Sequence, residues 1–184
     1  MIENRELPLF SLKQNKNKNF HLSISTPFYF LKKISEFPLS KSNSIFIDFG
    51  SGDGKVVRYL AKRDLFNYYF GYELKEKLVD ISIKKNNFPN VHFEKKNLLN
   101  FNKNEKIFNF IKKEKIKYIY LYFYNPFEKK IVYQIIECFK NFSNVNIVLL
   151  GFENFHIKEF ISEISLKLKL IYKKDNLNLF KNEK

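Results

Sequence analysis

Several things are scarce in this 184-residue chain, and each scarcity excludes something. One cysteine, Cys138, cannot form an intrachain disulfide, which excludes a disulfide-stapled scaffold and fits a reducing, cytoplasmic compartment. No apolar run comes near the roughly 20 residues that a membrane span needs, because Lys, Asn or Glu interrupts each one. Glu3 and Glu6 near the N-terminus, with no apolar core beside them, argue against a secretory signal and against a transit peptide. His21, His92 and His156 have no metal-ligand spacing and no cysteine partners, so no metal site is expected. Tryptophan is absent and arginine is limited to Arg5, Arg58 and Arg63.

What remains is a lysine-, asparagine- and phenylalanine-rich chain of one ordinary domain, long enough to bury a core. Its formal net charge of +14 has two explanations. A field of that sign attracts polyanions, which makes nucleic acid a possible partner. An AT-rich coding sequence would also enrich Lys, Asn, Ile and Phe by drift, and the lysine pairs are spread along the chain rather than gathered.

Residues 1–22 read as a loose polar arm and residues 23–184 as the folded domain. Thr26-Pro27 reads as an N-cap with proline in the first turn of a helix that ends before Pro38. Strands and helices then alternate: strand Ser44–Phe49, helix Gly54–Arg63, strand Tyr68–Leu74, helix Lys75–Lys85, strand Val91–Lys95. Strand Tyr118–Tyr124 is apolar on both faces, as a central parallel strand should be. It is followed by helix Phe127–Phe142, strand Val145–Gly151 and a helix near Ile157–Ile164. Two alternating segments, Leu166–Lys174 and Asn176–Phe180, close the chain as a hairpin turning at Asp175-Asn176. The expected fold is α/β and doubly wound, with a mostly parallel sheet and a C-terminal antiparallel hairpin.

Of five glycines, Gly50, Gly52 and Gly54 fall together in Asp48-Phe49-Gly50-Ser51-Gly52-Asp53-Gly54-Lys55, directly after the first strand. Such a cluster lets a strand turn sharply into a helix with a ligand lying against bare backbone. A dinucleotide site would show G-x-G-x-x-G, and a Walker phosphate loop G-x-x-x-x-G-K-[ST]; neither occurs. Carboxylates at Asp48 and Asp53 would repel a pyrophosphate but suit S-adenosylmethionine, which carries an ammonium and a sulfonium. Glu73, followed by Leu74, ends the second strand close to 20 residues later, where an acid can accept from both ribose hydroxyls. Asn97, after the third strand, reads equally as an adenine contact or as a turn residue.

After the fourth strand stand Tyr124, Asn125, Pro126 and Phe127. Asn125 is placed to hold an amine through its side-chain oxygen, with Tyr124 and Phe127 walling a substrate channel. Asn125-Pro126 is also a good cap and first-turn pair, and Tyr118, Tyr120, Tyr122 and Tyr124 alternate on one face as core. Cys138 shares a helix face with Ile131 and Ile135 and reads as packing.

From about Ser25 onward the chain resembles the class I S-adenosylmethionine-dependent methyltransferases. The stretch Phe46–Lys55 with Gly71-Tyr72-Glu73-Leu74 is most similar to the branch of archaeal broad-specificity protein-lysine methyltransferases and ATP-synthase c-subunit lysine methyltransferases. There the loop also reads D-x-G-S-G-D-G and the second strand ends G-Y-E. Ser25-Thr26-Pro27 resembles a T-P element that borders the cofactor pocket in that branch. The resemblance implies a seven-stranded sheet with its last strand antiparallel. It places Asp48, Gly50, Gly52 and Gly54, with Ser51 in the same loop, around the methionine end of the cofactor. Glu73 falls on the ribose, Asn97 by the adenine and Thr26 at the pocket edge. Tyr124-Asn125-Pro126-Phe127 is similar to the [DN]-P-P-[YF] motif of amino-group methyltransferases, less one proline. The expected activity is N-methylation of protein lysines. The alternatives are an RNA or DNA base nitrogen, or a cofactor-binding module without catalysis.

Overall fold

The computed structural model describes residues 26–37, 40–124, 129–150, 162, 164, 167–174 and 177–182. The N-terminal arm, Pro38, most of the helix expected near Ile157–Ile164 and the Asp175-Asn176 turn lie outside the described residues.

The elements run α1 (Phe28–Ser35), β1 (Ser44–Phe49), α2 (Lys55–Lys62), β2 (Tyr68–Glu73), α3 (Glu76–Lys84), β3 (Val91–Lys95), a 3₁₀ turn (Leu98–Asn100) and α4 (Lys106–Lys113). They continue with β4 (Tyr118–Tyr124), α5 (Lys129–Cys138), β5 (Val145–Leu150), β6 (Leu168–Lys174) and β7 (Leu177–Asn182). The seven strands form one sheet in the order β3-β2-β1-β4-β5-β7-β6. β1 to β5 are mutually parallel, while β7 runs antiparallel to both β5 and β6. The expected doubly wound sheet and its C-terminal antiparallel hairpin are both present.

Apolar content decides position in the sheet. Every residue of β1 is buried, as is all of β4 but its ends, and these two strands pair at the centre. β6 alternates, with Lys169 and Lys173 exposed, and sits at the edge, where charge discourages pairing with another chain. β7 lies between β5 and β6, so its residues Leu177–Phe180 are buried on both faces.

Two cores flank the sheet. One holds Phe49, Tyr72, Phe123 and Ile147 from the strands against Ile107, Phe108 and Ile111 of α4 and Ile131, Val132, Ile135 and Ile136 of α5. The other holds Phe46, Tyr69, Tyr120, Tyr122 and Val148 against Leu31 and Ile34 of α1 and Val56, Val57, Leu60 and Ala61 of α2. Cys138 packs at the edge of the first core with its thiol donating to the Gln134 carbonyl, 3.2 Å away.

Two expectations are corrected. Thr26 does not cap α1: Pro27 occupies the N-cap position, no side chain caps the helix, and the Thr26 hydroxyl is bonded to the Tyr122 hydroxyl at 2.9 Å. α4 was not anticipated between the third and fourth strands. It covers the first core with Ile107, Phe108 and Ile111.

Candidate active site

The site is built at the carboxyl end of β1, where ligands bind in open parallel sheets of this kind. The chain leaves β1 at Phe49 and turns through Gly50 (φ 92°), Gly52 (φ 56°) and Gly54 (φ 75°) before α2 begins. Side chains rarely adopt these angles, which is why three of the five glycines are spent here. The Gly50 and Ser51 N–H groups both donate to the Tyr72 carbonyl, at 2.8 and 2.9 Å, and Gly54 N–H closes the turn onto the Ser51 carbonyl. The loop is thereby tied to the end of β2.

Two glycines answer to a neighbour that the sequence does not reveal. Gly71 of β2 is in register with Phe93 of β3, and a Cβ on Gly71 would lie 2.6 Å from the Phe93 ring and 2.8 Å from the Ser51 hydroxyl. The same ring reaches the loop, 2.5 Å from where a Gly54 Cβ would be. Phe93 thus fills the space that both glycines leave.

Asp48 is 3% exposed, between Gly71 of β2 and Tyr122 of β4 in the sheet register. Its Oδ2 is buried with no hydrogen-bond partner, and so is the Ser51 hydroxyl. Burial pushes the Asp48 carboxyl well above the usual carboxylate range, and the Glu73 charge adds to the rise. A buried carboxylate oxygen left unsatisfied is costly, and a cationic ligand group beside it removes that cost. This donor set fits the ammonium end of S-adenosylmethionine.

Glu73 is half-buried and faces the loop. Its Oε2 accepts from Gly52 N–H at 3.0 Å and its Oε1 from Lys75 N–H at 2.9 Å. An ionised carboxylate has about four acceptor positions, so two remain for hydroxyl donors. Leu74 follows it, partly exposed. Asn97 accepts from Leu99 N–H at 3.1 Å and starts the 3₁₀ turn, so its oxygen is occupied in the turn role. Thr26 is buried and reaches the site from the other side through Tyr122, the register partner of Asp48. Burial raises the Tyr122 hydroxyl far above the ordinary tyrosine range, so it stays protonated. Tyr124 ends β4 half-buried, with its hydroxyl raised by burial. Asn125, Pro126 and Phe127 lie outside the described residues, as do His21 and His156.

Asp53 was expected to add negative charge to the loop, and this is corrected. Its carboxylate is 3.3 Å from Lys85 Nζ and 3.7 Å from Arg58 Nη2, and Arg58 also donates to the Asp53 carbonyl. The two cations offset its charge, which leaves Asp48 and Glu73 as the acids of the site. Ser82 was missed. It is fully buried on α3, with its hydroxyl 2.9 Å from the Leu78 carbonyl and 3.2 Å from the Gly52 carbonyl. A serine among the inward positions Leu78 and Val79 was the available signal. Among the described residues no three His, Cys, Asp or Glu side chains converge as metal ligands.

Residues 42–131, just under half of the chain, match the family described as "Putative methyltransferase". Solved structures with the same fold include M. capricolum TrmK in complex with S-adenosyl-homocysteine (19% identity, TM-score 0.51, 83% of this chain and 66% of that one). An RNA methyltransferase from Salinibacter ruber, also with S-adenosyl-L-homocysteine, shares 14% identity at TM-score 0.55 over 86% of this chain and 92% of that one. A ribosomal protein L11 methylase from Lactobacillus delbrueckii shares 12% identity at TM-score 0.50 over 84% and 74%. The fold of this chain is the one that these methyltransferase structures share. The chain spans a little under two thirds of the length of the M. capricolum protein. No functionally curated protein matches it. Among the described residues no helix is long and apolar enough to cross a membrane.

Proposed function

We propose that this chain transfers the methyl group of S-adenosylmethionine to a base nitrogen of RNA. The cofactor half rests on one observation above the others: the buried, unpartnered Asp48 oxygen beside the glycine turn. The RNA half is supported by the net charge of +14 and by the likeness of fold to the Salinibacter ruber RNA methyltransferase.

S-adenosylmethionine would supply an electrophilic methyl group to the acceptor nitrogen and leave as the neutral thioether S-adenosylhomocysteine, the acceptor's surplus proton passing to water. The protein contributes alignment and exclusion of water. Asp48 holds the ammonium, and Glu73 takes the ribose hydroxyls on its two remaining acceptor positions. Asn97 offers its amide at the adenine edge, and Thr26 closes the side against Tyr122. On the acceptor side the motif Tyr124-Asn125-Pro126-Phe127 supplies the candidates: the Asn125 amide oxygen for the nitrogen that is methylated, and the Tyr124 and Phe127 rings for the channel wall.

A protein lysine is the second reading, favoured by the similarity of the Asp48–Gly54 loop and Gly71-Tyr72-Glu73 to the lysine-methylating branch. A lysine must first lose a proton, at a cost of about 4 kcal/mol at neutral pH. A chain of charge +14 also repels a cationic tail. A cytoplasmic location accompanies either substrate.

The test incubates the purified chain and methyl-labelled cofactor with an extract of cells lacking the gene, then digests half with nuclease and half with protease. Label released only by nuclease is the expected result. Label released only by protease transfers the assignment to lysine.

A further inference from the structure

The described residues leave six large apolar side chains exposed, and only two of these are aromatic: Phe28, 64% exposed, and Tyr29, 56% exposed. Isolated exposed apolar residues are ordinary. These two are consecutive in the first turn of α1, on the opposite side from Leu31 and Ile34, and they are part of a larger arrangement. The Phe28 ring meets Tyr59 of α2 edge-on at 5.9 Å, and the Tyr29 ring meets Phe30 at 5.3 Å. Each row carries cations. Lys55 Nζ stands 4.2 Å over Phe28, the Arg63 guanidinium 3.8 Å over Tyr59, and Lys33 Nζ 4.0 Å over Tyr29.

The rows begin at the cofactor site. Lys55 is the first residue of α2, immediately after Gly54, and its ammonium donates to the Thr26 carbonyl at 2.9 Å. Thr26 bonds Tyr122, which pairs in the sheet with Asp48. Aromatic faces interleaved with lysine and arginine are the chemistry that holds single-stranded nucleic acid: bases stack on rings and guanidinium planes while the cations meet phosphates.

We propose that Phe28, Tyr29 and Tyr59, with Lys55 and Arg63, form a stacking platform that holds an unpaired stretch of the RNA substrate beside the methyl-transfer site. The proposal rests on the RNA reading above. It assigns the stacking to α1 and α2, elements that the loop and strand-end motifs do not involve. Phe28 and Tyr29 take bases, and Arg63 takes a phosphate at the far end of the row.

The experiment uses the full chain and an RNA oligonucleotide with 2-aminopurine in an unpaired stretch, whose fluorescence falls when the base stacks. The unaltered protein quenches it. In Phe28→Leu/Tyr29→Leu, which keeps apolar side chains but removes both rings, quenching is lost and RNA affinity falls about 10-fold or more. Binding of S-adenosylhomocysteine and the melting temperature stay unchanged. Arg63→Gln keeps the quenching but flattens the salt dependence of binding by about one phosphate contact. A double variant that still quenches and binds RNA like the unaltered chain overturns the platform and leaves the RNA reading standing. That would be the result if residues 1–25 of this chain covered the face instead. An unaltered chain that binds S-adenosylhomocysteine but neither binds nor labels RNA overturns both.

Discussion

The two faces of the sheet are built from alternate residues of the same strands, yet they do different work. The face under α4 and α5 is a phenylalanine core: Phe49 stacks on Phe123 at 5.0 Å, Phe101 on Phe139 at 6.3 Å, and Phe108 packs on Phe139 and Phe142. Those rings have no polar atom and supply burial and packing alone. The face under α1 and α2 carries tyrosines whose hydroxyls each fasten a connecting segment. Tyr69 accepts from Phe66 N–H and donates to the Leu60 carbonyl, Tyr120 accepts from Ser40 N–H, and Tyr122 bonds Thr26. One face holds the domain together; on the other, Tyr69 and Tyr120 fasten the segments that lead into β2 and β1, and Tyr122 fastens Thr26 on the cofactor side. A strand residue such as Tyr122 therefore belongs at once to the core and to the site.

The largest effect that sharpens this contrast comes from the phenylalanine face. Phe139→Ala, which empties a fully buried ring, is expected to cost about 3–5 kcal/mol of stability in urea unfolding. Affinity for S-adenosylhomocysteine, measured where the variant is still folded, should be unaltered. A smaller loss, about 1–3 kcal/mol, is expected for Gly71→Ala, whose new methyl meets Phe93 and the Ser51 hydroxyl. Adding Phe93→Leu should restore part of it in a double-mutant cycle, and strict additivity would mean that the ring is not what excludes a side chain there. The smallest stability change belongs to the tyrosine face. Tyr122→Phe should cost about 0.5–1.5 kcal/mol, yet weaken cofactor binding several-fold by releasing Thr26. If Phe139→Ala weakened ligand binding as much as Tyr122→Phe does, the division between the faces would not hold.

The fold was legible because strand and helix alternate with clear periods and β1 and β4 are apolar on both faces. α4 escaped because Lys106–Lys113 is short, is framed by lysine and asparagine, and has no side-chain cap to announce it. The glycine turn, Asp48 and Glu73 were legible from local spacing. Contacts that depend on strand register or on residues far apart in the chain were not. Phe93 lies over Gly71 only because β2 and β3 pair in one register, and Asp53 meets Lys85 across 32 positions. Thr26 looked like a helix cap because its neighbour is proline; its partner lies 96 residues away.

The central claim is that Asp48 is a buried carboxylate waiting for the ammonium of the cofactor. Its raised proton affinity has a definite sign. The folded chain without ligand holds the Asp48 proton more tightly than the unfolded chain does, so stability falls as pH rises from the ordinary carboxylate range toward the raised value. A cation at the site favours the charged form, so ligand binding expels that proton and tightens as pH rises through the same window. The direct measurement is calorimetric titration of S-adenosylhomocysteine into the unaltered chain and into Asp48→Asn across that pH range. The account predicts tight binding with proton release for the unaltered chain. Asp48→Asn should bind about 30-fold or more weakly, with no pH dependence from this group and with a more stable unliganded fold. Equal affinity in the two proteins, or no binding by a folded unaltered chain, would contradict it.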